Sequence, residues 1–378
     1  MPDEKLTAYR GGKALRRGWT TGSCAAAASQ AAAVLLLTGI APPEIHLHTP
    51  GGITFCLPVE DAHMSGNAAV CTVRKDAGDD PDITNGVRIT ASVRRSEKGV
   101  TIEGGAGVGR ITRPGLAMPV GEAAINPGPR QQIADAVHRA AQQNGYNGGF
   151  SVTISVKDGE ALAAQTYNGH LGIVDGISIL GTSGIVEPMS EKALVDTIRL
   201  ELDSLYAQGQ RIAFLCPGNY GADFARDTLG LDLERAVKCS NFIGEAFDHA
   251  AYRGYPEILL VGHAGKLVKM AAGVMNTHSS VADARQEIFT AHAALCGAPR
   301  ETLEGLMAAI SVDACVELLD EVNLRQPVLS RIGREMETRI ALRMKGQARV
   351  EFIMFTGKYG VLAESAGART LCERLKLQ

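Results

Sequence analysis

The chain has 378 residues, 45% of them hydrophobic, with 41 acidic against 38 basic residues and a formal net charge of −3. That length exceeds one ordinary core and predicts two domains. Without a basic excess to neutralise phosphates a nucleic-acid partner is not expected, and the longest apolar run, 31–37, is too short to span a bilayer.

The opening residues, MPDEKLTAYRGG, lack the apolar core of a signal peptide. Arg16-Arg17 then precede Gly18-Trp19-Thr20-Thr21-Gly22-Ser23-Cys24, which runs into an alanine-packed helix expected to last to Thr38 and to close at Gly39. The hydroxyls of Thr20, Thr21 and Ser23 suit the capping of its first turn. A well-capped core helix explains most of this segment. The arginine pair goes beyond it, because cations beside uncharged helix N–H groups make an anion site.

Strands follow: 44–49 and 53–59 around Pro50-Gly51-Gly52, a hairpin signature, then 69–74, 87–95 and 100–103. Lys75-Asp76-Ala77-Gly78-Asp79-Asp80-Pro81-Asp82 misses the calcium-loop spacing and reads as a solvated, self-capping turn. Gly104-Gly105-Ala106-Gly107-Val108-Gly109 imitates a nucleotide loop, but Arg113-Pro114-Gly115 follows it instead of a helix. It reads as a bend or a substrate-facing loop. A helix over 129–144, with Pro129 in its first turn, and a strand over 152–156 complete this part. The pattern predicts an α+β domain with a mostly antiparallel sheet over residues 1–189.

From Ser190 helix and strand alternate: helix to 208, strand 211–216, helix 220–229, strand 235–239, helix 241–253, strand 257–262 and helix 265–275. Helices then run between 283 and 344, before a strand at 349–355. This predicts an α/β domain over 190–378 with a parallel, Rossmann-like sheet. Ligands of such sheets bind beyond the carboxyl ends of the strands. Those ends carry Gly218, Asn219 and Gly221, then Ser240 and Asn241, then Gly262, His263, Gly265 and Lys266. Ser240 stands about 20 residues past Gly218, where dinucleotide folds carry an acid, and no P-loop spacing is present. The expectation is a nucleoside-sized cleft of another kind. Lys266 opposes its helix dipole, so it either snorkels to water or meets an anion. His263 and His278 each read as a backbone-held histidine or a ligand contact. The eight cysteines form no C-x-x-C pair. Cys71, Cys216 and Cys296 lie in apolar runs and read as buried thiols of a reducing cytoplasm, not as a zinc site.

Six segments in order, GWTTGSCAAAA, KDAGDDPD, GGAGVGRITRPGL with GEAAINPGPR, LGIVDGISILGTSGIVEPMS, SNFIGEAF and GHAGKLVKMAAGVMNTHSSVADAR, resemble the cobalt-precorrin-5B (C1)-methyltransferase family, CbiD, over nearly the whole chain. Trp19, Ser23 and Ala264 are small departures from its commoner wording. The resemblance implies transfer of a methyl group from S-adenosylmethionine to carbon 1 of a cobalt-corrinoid precursor of cobalamin. The cobalt would arrive inside the substrate, so no protein-bound metal is expected. It implies a cytoplasmic enzyme with no membrane partner and leaves homo-oligomerisation open. The residues fit such chemistry: an electron-rich carbon needs no activating triad, and no catalytic residue is assigned. Carboxylates of the substrate require cations and helix starts, for which Arg16, Arg17, Thr20, Thr21, Ser23, Arg110, Arg113, Arg130 and His278 are candidates. The strand-end residues named above are candidates for the methyl donor. A corrinoid carrier and a dinucleotide-dependent ring reductase are the other classes, and the missing ribose acid near Ser240 counts against the reductase.

Overall fold

Ile45 and Leu47 are buried while their neighbours Glu44, His46 and His48 are exposed, the period of two expected of a strand with one wet face. That strand begins the larger sheet of the first of two compact units in the computed structural model, which describes residues 4–377. The units are Met1–Glu191 and Lys192–Gln378.

In the first unit, β1 (Thr7–Arg10) and β2 (Lys13–Arg16) form a hairpin, and β3 (Gly18–Trp19) leads into α1 (Thr21–Thr38). Thr20 caps α1 by accepting from the Ser23 N–H, and Gly39 ends it in the left-handed region at φ 75°. Next come β4 (Glu44–His48), β5 (Thr54–Ser65), β6 (Ala68–Arg74), β7 (Arg88–Ser96), β8 (Val100–Gly104), β9 (Gly107–Val108), β10 (Arg110–Ile111), α2 (Pro127–Gln143) and β11 (Gly149–Val156). After α3 (Gly159–Ala163) lie the short strands β12 (Ile173–Val174), β13 (Gly176–Ile177) and β14 (Ile185–Val186). The main sheet has the order β4-β5-β6-β7-β11-β8, antiparallel except for the parallel β11–β8 pair.

Ala25 to Ala28 and Ala31 to Ala33 are each 0% exposed, so α1 lies close against the sheet and α2. Methyl-sized side chains permit that approach, and a larger residue would have to push the layers apart. By length and composition α1 could cross a membrane, yet 78% of it is buried inside this fold. Two expectations need correction here. Pro127, not Pro129, opens α2, because its fixed φ and missing N–H suit the first position. The second strand of the hairpin runs on to Ser65, bending at an irregularity between Val59 and Asp61.

The second unit holds α4 (Glu191–Ala207), β15 (Ile212–Cys216), α5 (Asn219–Asp227), β16 (Ala236–Lys238), α6 (Ile243–Arg253), β17 (Glu257–His263) and α7 (Ala264–Leu267). Then follow α8 (Arg285–Leu295), α9 (Arg300–Ala308), α10 (Val312–Glu321), α11 (Arg325–Met344), β18 (Arg349–Thr356), β19 (Gly360–Glu364) and α12 (Ala368–Lys376). Strand order is β16-β15-β17-β18-β19; the first four run parallel and β19 is antiparallel. β15 is buried at every residue and β17 at all but its two ends, as befits strands covered on both faces. The helix expected over 265–275 is instead α7 and a 3-10 turn, Val268–Ala272, closed by Gly273 at φ 78°. Lys269, 3% exposed, donates to the carbonyls of Thr277 and Ala282 and so ties down the loop that follows. All eight cysteines are free; Cys56 is exposed and Cys296 half-buried, which corrects the buried reading of Cys296.

Candidate functional site

The carboxyl ends of β15, β16 and β17 lie side by side, because the three strands pair in parallel. Gly218 starts α5 with φ 101° and ψ 177°, a backbone state open in practice only to glycine. No side chain caps α5, so its first-turn N–H groups face outward without a side-chain acceptor. Gly221 is required one turn on: a Cβ there would stand 2.7 Å from the Val261 carbonyl, so α5 rests directly on β17.

Lys266 reaches this edge from α7. Its ammonium donates to the Ser240 carbonyl at 3.2 Å and stands 3.4 Å from where a Gly218 side chain would begin. Ser240 presents that carbonyl from the left-handed region, at φ 51°. Burial lowers the Lys266 pKa; the Cys239 thiol opposes that shift and Lys269 adds to it. One carbonyl leaves two ammonium hydrogens unused, beside a helix start that favours negative charge.

His263 closes the other side. Its Nδ1 accepts from the Gly265 N–H at 3.1 Å, which leaves the proton of the neutral ring on Nε2. Burial lowers its pKa, with Asp313 pulling the other way. The ring stands 5.7 Å from Phe355, edge-on, and 5.9 Å from Tyr220. Tyr220 is 78% exposed at the start of α5. Gly218, Ser240, His263, Gly265 and Lys266 therefore converge, and Asn219 joins through Lys238 at 3.4 Å. Asn241 and Gly262 support the edge from behind. The Asn241 carbonyl accepts from the Thr277 N–H, and Gly262 is walled by Pro217 and Leu267. Tyr220 lies inside the strand-end segment 217–221 without being a sequence candidate, and Lys238, just before Ser240, carries no signal of its own in the sequence.

The start of α1 is a different environment. Thr20, Thr21 and Ser23 are 5%, 3% and 0% exposed. Thr21 accepts from the Leu180 N–H, the Ser23 hydroxyl donates to the Gly184 carbonyl, and the Gly22 N–H donates to the Leu180 carbonyl. Segment 178–184 thus covers the helix start that the sequence offered to an anion. The arginines beside it are paired too. Arg16 forms a two-pronged bond to Asp76, both contacts 2.7 Å, and Arg17 meets Glu187 at 3.0 Å and the Lys5 carbonyl at 2.8 Å. These cations clasp the fold.

The acidic turn supplies the other half of that clasp. Asp79 accepts from the Arg16 N–H, Asp80 from the Met189 N–H, Asp76 from the Gly78 N–H and Asp82 from the Thr84 N–H. Asp82 also pairs with Lys75, whose side chain is 2% exposed. The turn is self-capping, as read, but bound into the fold instead of solvated. Gly107, Gly159 and Gly176 touch backbone to backbone, for a Cβ on Gly159 would lie 2.1 Å from the Gly107 carbonyl oxygen. Close packing of that kind accounts for the glycine run after β8.

Among the other arginines, Arg110 donates to the carbonyls of Gly121 and Gly104, each at 3.3 Å. Arg130 holds the carbonyls of Ile125 and Ile102 and pairs with Glu122 at 3.4 Å. It also lines a cavity of about 390 Å³ with Val100, Ile102, Met118 and Pro127. A second cavity, about 360 Å³, lies between the end of β4 and α2 and is lined by His48, Gln132, Asp135 and Arg139. Arg113 lies across Gly172 and, among the described residues, has no ion pair. His278 is exposed and turned on its own loop, its Nδ1 meeting Ser280.

Comparison with known proteins adds identity to this geometry. The CbiD family model matches residues 8–188, and the model for the CbiD C-terminal domain matches 276–366. A curated cobalt-precorrin-5B C(1)-methyltransferase of Ruminiclostridium cellulolyticum is 50% identical over 92% of this chain and 90% of its own. One from Citrobacter koseri is 39% identical over the full length of both chains. A crystal structure of a cobalamin biosynthesis protein, cbiD, from Archaeoglobus fulgidus is 30% identical, covers 75% of this chain and 88% of its own, and has a TM-score of 0.41.

Proposed function

The chain belongs to the CbiD family, and we propose that it methylates carbon 1 of cobalt-precorrin-5B, with S-adenosylmethionine as donor, to give cobalt-precorrin-6A in anaerobic cobalamin synthesis. The observation that carries this is the 50% identity, over 92% of the chain, to a protein named for that reaction. In the transfer the ring carbon supplies the electron pair of the new C–C bond. The sulfonium sulfur keeps the pair of the bond that breaks and becomes a neutral thioether. Charge leaves the donor as the bond forms, so the protein must hold two carbons in line and keep water out more than it must supply an acid or base.

The strand-end cleft suits the donor in three respects. The uncapped start of α5 and the Lys266 ammonium answer a carboxylate, Tyr220 offers an exposed ring face to an adenine, and neutral His263 adds no charge beside a sulfonium. For the substrate's acid arms the first unit offers Arg113, without an ion pair among the described residues, and Arg139 in the cavity beside α2. The test is anaerobic incubation with cobalt-precorrin-5B and methyl-labelled S-adenosylmethionine. One labelled methyl at carbon 1, with S-adenosylhomocysteine in equal amount, is the expected result. An unaltered ring, or consumption of NADPH in place of the donor, overturns the proposal.

A further inference from the structure

On the solvent face of the β4–β5 hairpin, Glu44, His46 and Cys56 bring a carboxylate oxygen, an imidazole nitrogen and a sulfur to within 4.8 Å of one another. The strand register builds this cluster. Glu44 and His46 are two residues apart on one face of β4, and Cys56 is the cross-strand partner of His46. The opposite face, Ile45, Leu47, Phe55 and Leu57, is buried in the core. A slip of one residue would put the three polar groups inside, so the core itself holds them together in water. Nε2 of His46 stands 3.2 Å from the Glu44 carboxylate. Ligand atoms around a tetrahedral ion with zinc-type bonds lie about 3.5 Å apart, so little rearrangement separates this cluster from a coordination shell.

We propose that Glu44, His46 and Cys56 form a surface site for a borderline-soft divalent cation of the zinc class, with the fourth position open to solvent. The donor set decides the class. A thiolate and an imidazole disfavour magnesium and calcium, which take oxygen, and suit zinc and cobalt(II). All three ligands are exposed, so the ion exchanges readily. Binding releases the Cys56 thiol proton to solvent as the sulfur–metal bond forms, with no change of oxidation state. Because that proton must leave, affinity rises with pH. The site stands apart from the proposed methyl-transfer chemistry and does not depend on it.

Titrating the full-length protein with Co²⁺ alone tests the proposal. One equivalent should produce a thiolate-to-cobalt charge-transfer absorption that Zn²⁺ then abolishes. Cys56→Ser should remove the absorption. His46→Ala and Glu44→Gln should each weaken Co²⁺ binding tenfold or more, while His63→Ala, on the same hairpin, leaves it unchanged. These side chains are exposed, so the variants keep the fold, and circular dichroism checks it. No absorption in the parent protein, or the same absorption in Cys56→Ser, overturns the site.

Discussion

Two helix starts in this protein look alike in sequence and behave oppositely in the fold. Glycine precedes both α1 and α5, and each has cations in the segments near it. At α1 the hydroxyls are buried, the first-turn N–H groups of Gly22 and Ser23 are bonded, and Arg16 and Arg17 are held by Asp76 and Glu187. At α5 no side chain caps the helix, and Lys266 meets one carbonyl. The difference lies in what arrives from far along the chain. Segment 178–184 closes α1 across about 160 residues, as in the bond from Ser23 to Gly184, 161 residues away. Among the described residues, no remote segment bonds the first-turn N–H groups of α5. Anion-binding capacity belongs to the helix start that tertiary structure leaves open, whichever one the local sequence advertises.

The contrast breaks most visibly at Lys75. Replacing Asp82 with Ala leaves a lysine that is 2% exposed without its carboxylate. The expected cost is about 3–5 kcal/mol in denaturant unfolding. A change below 1 kcal/mol would show that the acidic turn is solvated after all. The same clasp makes the first unit acid-sensitive. The Arg16 bond holds the Asp76 carboxyl below its ordinary range. Burial raises the Asp82 carboxyl, but Lys75 and Thr84 outweigh it and bring the net value down. Carboxyls lowered on folding contribute stability that is complete above their ordinary pKa and lost as the pH falls through the folded value. Unfolding free energy should therefore decline below about pH 4, and Asp76→Asn should flatten that decline.

Lys266→Ala sharpens the other side. Stability should stay within about 0.5 kcal/mol, while affinity for S-adenosylhomocysteine, measured by calorimetry, falls ten- to a hundredfold, as expected for the loss of a charge-assisted bond of about 1.5–3 kcal/mol. Unchanged affinity would give Lys266 to solvent. Thr20→Ala should do the reverse, costing about 1 kcal/mol of stability through the lost cap with ligand affinity intact. The smallest effect belongs to His263. Its pKa is lowered on folding by burial, so its contribution is complete above the ordinary histidine value and lost as the pH falls through the folded one. His263→Gln should remove a shallow acid-side decline that sets in below the ordinary histidine value, seen in thermal unfolding between pH 5 and 8.

Elements whose signals are local were legible in the sequence. α1 begins and ends where Thr20 and Gly39 place it, because a cap involves neighbours within one turn. β17 reads directly from its run of Ile, Leu and Val. What failed to show depends on partners remote in the chain. Arg16 looked free because Asp76 is 60 residues away, and Arg17 because Glu187 is 170 away. The glycines after β8 looked like a ligand loop because Gly159 and Gly176, which press against them, lie 52 and 69 residues beyond Gly107. The helix expected over 265–275 is α7 and a 3-10 turn that Gly273 closes, and the bonds from the buried Lys269 ammonium to the carbonyls of Thr277 and Ala282 are contacts no periodicity records. The convergence of Gly218, Ser240 and Lys266 was readable, since the rule about strand ends is topological and needs only the order of elements.

The pairing of β3 with β14 has a consequence for synthesis. Gly18–Trp19 finds its partner strand only at Ile185–Val186, so the first helix to leave the ribosome waits for more than 160 residues before its entrance can be sealed. By then the strands that cover the alanine face of α1 have all been made, the last of them ending at Val156, but the helix start still lacks its lock. A nascent chain stalled short of Val186 should hold α1 open to protease, and one stalled far enough beyond it should not. The segment that ends the first unit is thus also its last fastening, and a growing chain becomes resistant there in a single step.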